Sequence, residues 1–439
     1  MDELEIDQII GEMAPLGREL YAAAREGHLC IRKEGDEGTP LRGDEERFEG
    51  LVGRWEDLVY LQKNWVLETR VIKEFKRLLV DDVKQIDIGD VGSLNQGQEA
   101  ALKECLKEGV SCLTGGPGTG KSYVIGEIIK RWGKDVCALA PTGKAVSLLS
   151  EKLDVEVGTL HRLLNIRDTK EMLFGGTPLE YGMVIVDECS MIDVAMWAAL
   201  LKNIKRGTRL ILVGDQDQLP PVEAGTVFGE LCHFMKQRGR GYAHLSECMR
   251  SDRKEILEMA EAVSLGKMIS YEKLDRDLKK WQQKGYQFLS CLRKGPFGTD
   301  AINEEMWEGN EIPIMMTRSD RKKDLSNGEM GVLIKHDPGR AIGKNDVVKF
   351  GEKEFPATLA VDFEPAYCIS VHKSQGSEFN KIALLVPKGS EVFGREILYT
   401  GITRAKDEIV VLSEEGVIEQ CLEKTSEKGS GIRRRLCAF

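Results

Sequence analysis

Residues 115–122, GGPGTGKS, constrain this chain more than any other stretch. The apolar run VSCLT leads into them and YVIGEIIKRW follows, so they lie between a strand and a helix. That placement makes a phosphate-binding loop. Glycines free the backbone to curl its N–H groups around phosphate oxygens, and the positive end of the helix dipole favours the charge. Gly115, Gly116, Pro117, Gly118, Thr119 and Gly120 are the expected cradle. Lys121 is expected to neutralise the terminal phosphates of ATP, and Ser122 to offer its hydroxyl to Mg²⁺.

Such a loop requires strand tips that converge on one site, and the flanking sequence supplies them. The runs VSCLT, VCALA, MVIVD and LILVGD, ending at Thr114, Ala140, Asp187 and Asp215, alternate with helical segments. This is the α/β pattern of a parallel sheet, where ligands bind at the carboxyl ends of strands. A second series repeats it: IPIMM from Ile312, YCISV from Tyr367, IALLV from Ile382 and EIVVL from Glu408. The expected architecture is therefore two tandem α/β lobes with parallel sheets, at 91–240 and 241–439, behind a small helical domain at 1–90; the lobes resemble RecA-like P-loop NTPase folds. In that leading segment, LVYLQKNWVLETRVIKEFKRLL at 58–79 has the spacing of one amphipathic helix, and a polar interruption spans 34–50.

Chemistry accumulates at the strand tips. Asp187 and Glu188 directly follow MVIV, so Asp187 suits the magnesium shell and Glu188 suits polarisation of the attacking water. Gln218, in GDQDQLPPV, carries an amide able to sense a γ-phosphate and a neighbouring loop at once. Arg250 and Arg404 are candidates to reach across from the second lobe and stabilise charge on the transferring phosphate.

Bulk properties bound the class. No run approaches the roughly 18 apolar residues of a membrane span, and the start, MDELEIDQII, is acidic where a secretory signal is basic, so a cytoplasmic protein is expected. Eleven scattered cysteines without a C-x-x-C pair read as reduced thiols rather than a disulfide framework or zinc site. A net charge of -10 requires any nucleic-acid groove to be only locally basic.

In order along the chain these segments resemble superfamily 1 helicases of the RecD-like group, over residues 94–412. LNQGQ is similar to the adenine-reading Q motif, with Gln98 in the reading position; GGPGTGKS to motif I; APTGKA to motif Ia; and DECSMID to motif II, with Cys189 where alanine is usual. GDQDQLPPV is similar to motif III, Arg250 falls at the motif IV arginine, ISVHKSQGSEF resembles motif V, and ITRAK resembles motif VI with Arg404 as arginine finger. The N-terminal segment resembles the start of RecD subunits that assemble with RecB and RecC partners, in which the nuclease site belongs to another subunit.

The resemblance implies ATP-driven movement 5′ to 3′ on single-stranded DNA, at duplex ends in the three-subunit case. It places DNA groups on both lobes: Thr142, Lys144 and His161 on the first, His372, Lys373 and Ser374 on the second. A short insertion at 164–181, with Gly175 and Gly176 at its centre, is expected to form a strand-separating hairpin, and 329–362 a small β-rich insertion. Three other readings stay open: a stand-alone RecD-like helicase, an RNA-directed superfamily 1 helicase, and an ATP-gated DNA-binding subunit without unwinding activity.

Overall fold

Strand β4, Val110–Gly115, delivers the phosphate loop from the middle of a six-stranded sheet. Its companions are β5 (Val136–Ala140), β6 (Glu156–Thr159), β7 (Met183–Val186), β8 (Arg209–Gly214) and β9 (Tyr242–Leu245). The order is β6-β5-β7-β8-β4-β9, and every pairing is parallel. β4, β5, β7 and β8 are buried along their whole length. Helices cover both faces of a parallel sheet, which is why these strands read as unbroken apolar runs. The protein is described from a computed structural model that covers residues 15–32, 52–79, 86, 88–89, 91–92, 94–168, 171–172, 175–247, 254–320, 322–337, 339–359, 362–426 and 428–438.

One face of this sheet packs on Gln96–Lys107 and Lys121–Trp132 through Leu102, Val124 and Ile128. The other packs on Val194–Lys202 and Val227–Arg238 through Trp197, Leu200 and Leu231. The sheet takes its last strand from beyond residue 240, where the lobe was expected to end.

The second lobe holds a parallel sheet of order β10-β19-β18-β11-β17, with β10 at Glu272–Lys273, β11 at Gln287–Ser290, β17 at Cys368–Ser370, β18 at Phe379–Val386 and β19 at Ala405–Ser413. IPIMM is not in it. That run is β12 (Glu311–Met316), in an antiparallel sheet with β13 (Met330–Ile334), β14 (Val347–Phe350), β15 (Lys353–Pro356) and β16 (Phe363–Pro365). Only β14 and β15 are joined by a short turn, at 351–352, which enforces antiparallel pairing there because a parallel partner needs a crossover. The slot in the parallel sheet goes to β11, QFLS, a run too short to stand out.

The N-terminal segment also departs from expectation, since it contains sheet as well as helix. LVYL is strand β3 (Leu58–Leu61), paired antiparallel with β1 (Cys30–Arg32) and β2 (Val52–Trp55). The helix begins at Gln62 and runs to Leu78. Its face of Leu67, Val71, Ile72 and Phe75 enters the first-lobe core against Val194–Lys202. Arg77 donates to the carbonyls of Leu201 and Ile204 at 2.9 and 2.8 Å, capping the end of that neighbour. The polar stretch 34–50 lies outside the described residues.

After the second lobe the chain returns to the first. Ile432 and Leu436 of the helix Ile432–Cys437 join the same core. The fully buried Glu68 carboxylate accepts from Arg435 Nη1 (2.9 Å), Tyr60 Oη (2.8 Å) and the Gly431 N–H (3.0 Å), while the Arg435 guanidinium lies 4.0 Å from the Trp65 ring centroid.

The expected hairpin at 164–181 does not form among the described residues. Leu164, Ile166 and Leu179 are buried in the first-lobe core, Thr177 N–H donates to the Leu164 carbonyl, and Leu179 makes one parallel bridge to Ile204. Among the described residues no helix is long and apolar enough to cross a membrane, and the described cysteines are free thiols, buried except for Cys437.

Candidate nucleotide site and strand track

The phosphate loop is shaped by backbone that only glycine adopts easily. Gly118 and Gly120 have φ of 75° and 91°, and Gly120 caps the helix Lys121–Trp132. A Cβ on Gly116 would lie 3.2 Å from the Tyr399 hydroxyl of the second lobe. Lys121 Nζ folds back onto the carbonyls of Gly115 and Gly116 at 2.5 and 2.9 Å, a contact that phosphate oxygens would take over.

A cavity of about 300 Å³ opens from this loop. It is lined from the first lobe by Lys121, Ser122, Asp187, Glu188, Asp215 and Gln218, and from the second by Arg404 and Lys406. Glu188 sits in the left-handed region at φ 53°, ψ 40°, costing on the order of 1–3 kcal/mol for a residue other than glycine. Burial, reinforced by the Asp187 charge, pushes the Glu188 carboxyl up to about 7; Arg404 and Lys121 oppose this. Burial also raises Asp187, whose Oδ1 accepts the Glu188 N–H at 2.9 Å.

Gln218 bridges inward as an amide can: Nε2 donates to Asp215 Oδ2 at 3.2 Å, while Oε1 is buried without a partner. Arg404, 4% exposed, donates through Nε to the Thr400 carbonyl (3.1 Å), Nη2 to Thr403 Oγ1 (3.2 Å) and Nη1 to the Ser377 carbonyl (3.5 Å). Arg250 lies outside the described residues. Gln98 is buried beneath the loop, where its Nε2 reaches the Thr119 carbonyl at 3.4 Å. It also completes a capping box with Asn95, a structural role that the N-x-x-Q spacing signals on its own.

The lobes meet through contacts that sequence reading missed. Tyr399 Oη donates to Asp215 Oδ2 at 2.9 Å, and the hydroxyl is held well above its usual range by burial and by the Asp215 and Asp217 charges. Thr400 Oγ1 accepts the Leu219 N–H (2.9 Å), and Gln375 Nε2 donates to the Leu219 carbonyl (3.2 Å). The available signal was spacing: Thr400, in the last turn of the helix Gly394–Ile402, stands four residues before Arg404.

The six strand-binding candidates separate. His161 is exposed beside β6, and Lys373 is exposed and paired with Glu364 Oε1 at 2.5 Å. Lys373 and Ser370 border a cavity of about 530 Å³ with Arg293, Thr299, Asn303 and Trp307, a feature absent from the sequence reading. His372 is half-buried, edge-on to Phe393. Ser374 is fully buried with its hydroxyl on the Val371 carbonyl at 2.7 Å, so it is closed to a strand. Thr142 caps its own helix through the Ala145 N–H. Lys144 lies in the nucleotide cavity, donating to Ser377 Oγ at 2.7 Å across the lobes, its pKa lowered by burial and by Lys406 and Arg404.

Hard oxygen donors at Ser122 and Asp187 on one cavity wall fit Mg²⁺, which takes one or two protein ligands and completes its shell with phosphates and water.

Comparison with known proteins places these features in context. Residues 93–284 match a family described as an AAA domain, and residues 365–412 a UvrD-like helicase C-terminal domain. The chain is 27% identical to the RecBCD enzyme subunit RecD of Mycolicibacterium smegmatis, over 87% of this chain and 82% of that protein. It is 27% identical to the same subunit of Haemophilus influenzae, over 77% and 72%. An ATP-dependent RecD2 DNA helicase of Deinococcus radiodurans is 29% identical over 72% of this chain and 48% of that protein. Among solved structures, Pif1 helicases at forked duplex DNA share the fold with a TM-score of 0.51 at 17% identity, over 75% of this chain and 94% of theirs. Bacteroides Pif1 bound to single-stranded DNA gives 0.50 at 17% identity, over 75% and 93%.

Proposed function

We infer that this chain is a RecD-like superfamily 1 helicase, an ATP-hydrolysing DNA helicase that moves 5′ to 3′ on single strands. The observation that carries this reading is the shared cavity. Arg404 of the second lobe faces Lys121, Ser122, Asp187 and Glu188 of the first, so the complete site exists only when the lobes are together.

We assign the roles as follows. Lys121 leaves the Gly115 and Gly116 carbonyls to meet the terminal phosphates, and Gln98 supports the loop from beneath through the Thr119 carbonyl. A Mg²⁺ held by Ser122 and Asp187 would neutralise charge on the β- and γ-oxygens. Glu188 takes a proton from water as the water oxygen bonds the γ-phosphorus and the bond to the bridging oxygen breaks. Gln218 orients that water through its free Oε1, and Arg404, with Arg250, stabilises the equatorial charge.

Closure around ATP and opening after hydrolysis would ratchet a strand lying across both lobes, past His161 on the first and past Lys373 and its neighbouring cavity on the second. Backbone contacts of this kind are sequence-tolerant and salt-sensitive. We take the first lobe to run from about 91 to 247 and the second from about 254 to 426, with the N-terminal segment and Ile432–Cys437 as an appendage of the first. That appendage is the surface we assign to RecB-like and RecC-like partners in double-strand-break processing.

Duplexes with a 5′ or a 3′ single-stranded tail test the reading directly. Unwinding of the 5′-tailed substrate alone is expected; preference for the 3′ tail, or stronger ATPase stimulation by RNA than by DNA, would overturn it. Co-purification with the two partners separates a complex-bound motor from a solitary one.

A further inference from the structure

The stretch after Gln218, LPPVEAG at residues 219–225, is gripped at both ends by distant parts of the chain. At its near end the second lobe holds both backbone groups of Leu219, through Thr400 and Gln375. At its far end three successive carbonyls, those of Pro221, Val222 and Glu223, converge on Lys428 Nζ at 2.5, 3.2 and 2.8 Å. An ammonium group has three N–H donors, so the match is complete, and each bond is charge-assisted.

Lys428 is itself locked in place by the N-terminal segment. Its side chain passes over Gly27, where φ is +85° and a Cβ would lie 2.5 Å from Nζ. The neighbouring Gly429 donates its N–H to His28 Nδ1 at 2.6 Å and accepts the Leu29 N–H at 2.8 Å. The Gly27 carbonyl accepts the Gly225 N–H at 3.0 Å, closing the ring. Lys428 also lies near enough to His372 that its charge, after burial, lowers that imidazole's pKa.

Val222 and Glu223 are exposed, Val222 by 71%, so water could serve their two carbonyls without help from a lysine, while Pro221 is buried. The contact therefore fixes position. We propose that Lys428 is a positioning residue for ATP hydrolysis: it anchors the far end of 219–225, so that displacement of the second lobe, applied at Leu219, turns the Gln218 amide in the cavity. Without the anchor the loop would take up the displacement as slack. The proposal rests on the two-lobe ATPase reading above.

The test compares the native chain with Lys428→Met, Lys428→Gln and Gly27→Ala by steady-state ATPase with and without oligo-dT, alongside thermal unfolding. Lys428→Met is expected to lower the DNA-stimulated kcat about tenfold with KM for ATP within twofold of native. Lys428→Gln, which keeps two uncharged donors, should lose about threefold, and Gly27→Ala, which crowds Nζ from the other segment, should reproduce the Met effect. Stimulated turnover within twofold of native in Lys428→Met would overturn the proposal. So would a kcat loss accounted for by the unfolded fraction, or one matched by an equal rise in KM. A native chain whose ATPase is not stimulated by DNA would instead sink the underlying functional reading.

Discussion

Replacing Arg404 by alanine isolates the contribution of the second lobe to chemistry. A guanidinium has five N–H donors, and three of Arg404's are engaged by Thr400, Thr403 and Ser377. Two remain for the phosphate, and the buried setting leaves little solvent to screen them. A finger arginine of this type accelerates transfer roughly 10³–10⁵-fold, equivalent to about 4–7 kcal/mol of barrier. Lys121 and the loop N–H groups remain in the Ala variant, so ATP affinity should stay within about threefold of native while DNA-stimulated turnover falls at least about 10³-fold. Arg404→Lys keeps the charge but loses the planar fork and should fall between the two. The assay pairs nucleotide binding by fluorescence titration with steady-state turnover on oligo-dT. Turnover within tenfold of native, or affinity falling as far as turnover, would refute the finger assignment.

Other expectations follow from the same geometry. Lys121→Ala should abolish DNA-stimulated hydrolysis, and retained turnover would refute the phosphate site. Because the Glu188 carboxyl is raised to about 7 and must be ionised to act as base, kcat/KM for ATP should fall as pH drops through about 7; a flat profile from pH 6 to 8 would exclude that role. The same raised pKa means that the folded chain binds this proton more tightly than the unfolded chain, so its contribution to stability declines as pH rises from about 4.5 toward 7. Glu188→Gln should flatten that part of the melting curve, measured without Mg²⁺. Glu68→Leu strands the buried Arg435 and should destabilise by about 3–5 kcal/mol. Combining it with Arg435→Met should restore most of that loss in a denaturant titration, and a purely additive double mutant would contradict a direct pair.

Features that depend on backbone chemistry were readable from residue order. The phosphate loop needs glycine at positive φ between a strand and a helix, and that requirement is written in GGPGTGKS. Four of the six strands of the first sheet were equally plain, because burial on both faces leaves an unbroken apolar run. IPIMM carries the same signal yet pairs antiparallel, since strand direction depends on which segments lie beside it. LVYL continued an amphipathic pattern, and only its partners at Cys30 and Val52 make it a strand. Ser374 and Lys144 carry hydroxyl and ammonium groups suited to a nucleic-acid backbone. Their actual placements, one buried and one in the nucleotide cavity, are set by tertiary packing. Tyr399 was invisible for the same reason: its partner, Asp215, is far away in sequence and belongs to the other lobe.

The return of Ile432 and Leu436 to the first-lobe core has a consequence for biosynthesis. These residues leave the ribosome only after the sheets of both lobes have been translated, yet they seal the apolar face formed by the helices Gln62–Leu78 and Val227–Arg238. During synthesis that face stays open while the second lobe is being made. The first lobe is thus begun early and finished late, with a surface for chaperones to protect in the interval.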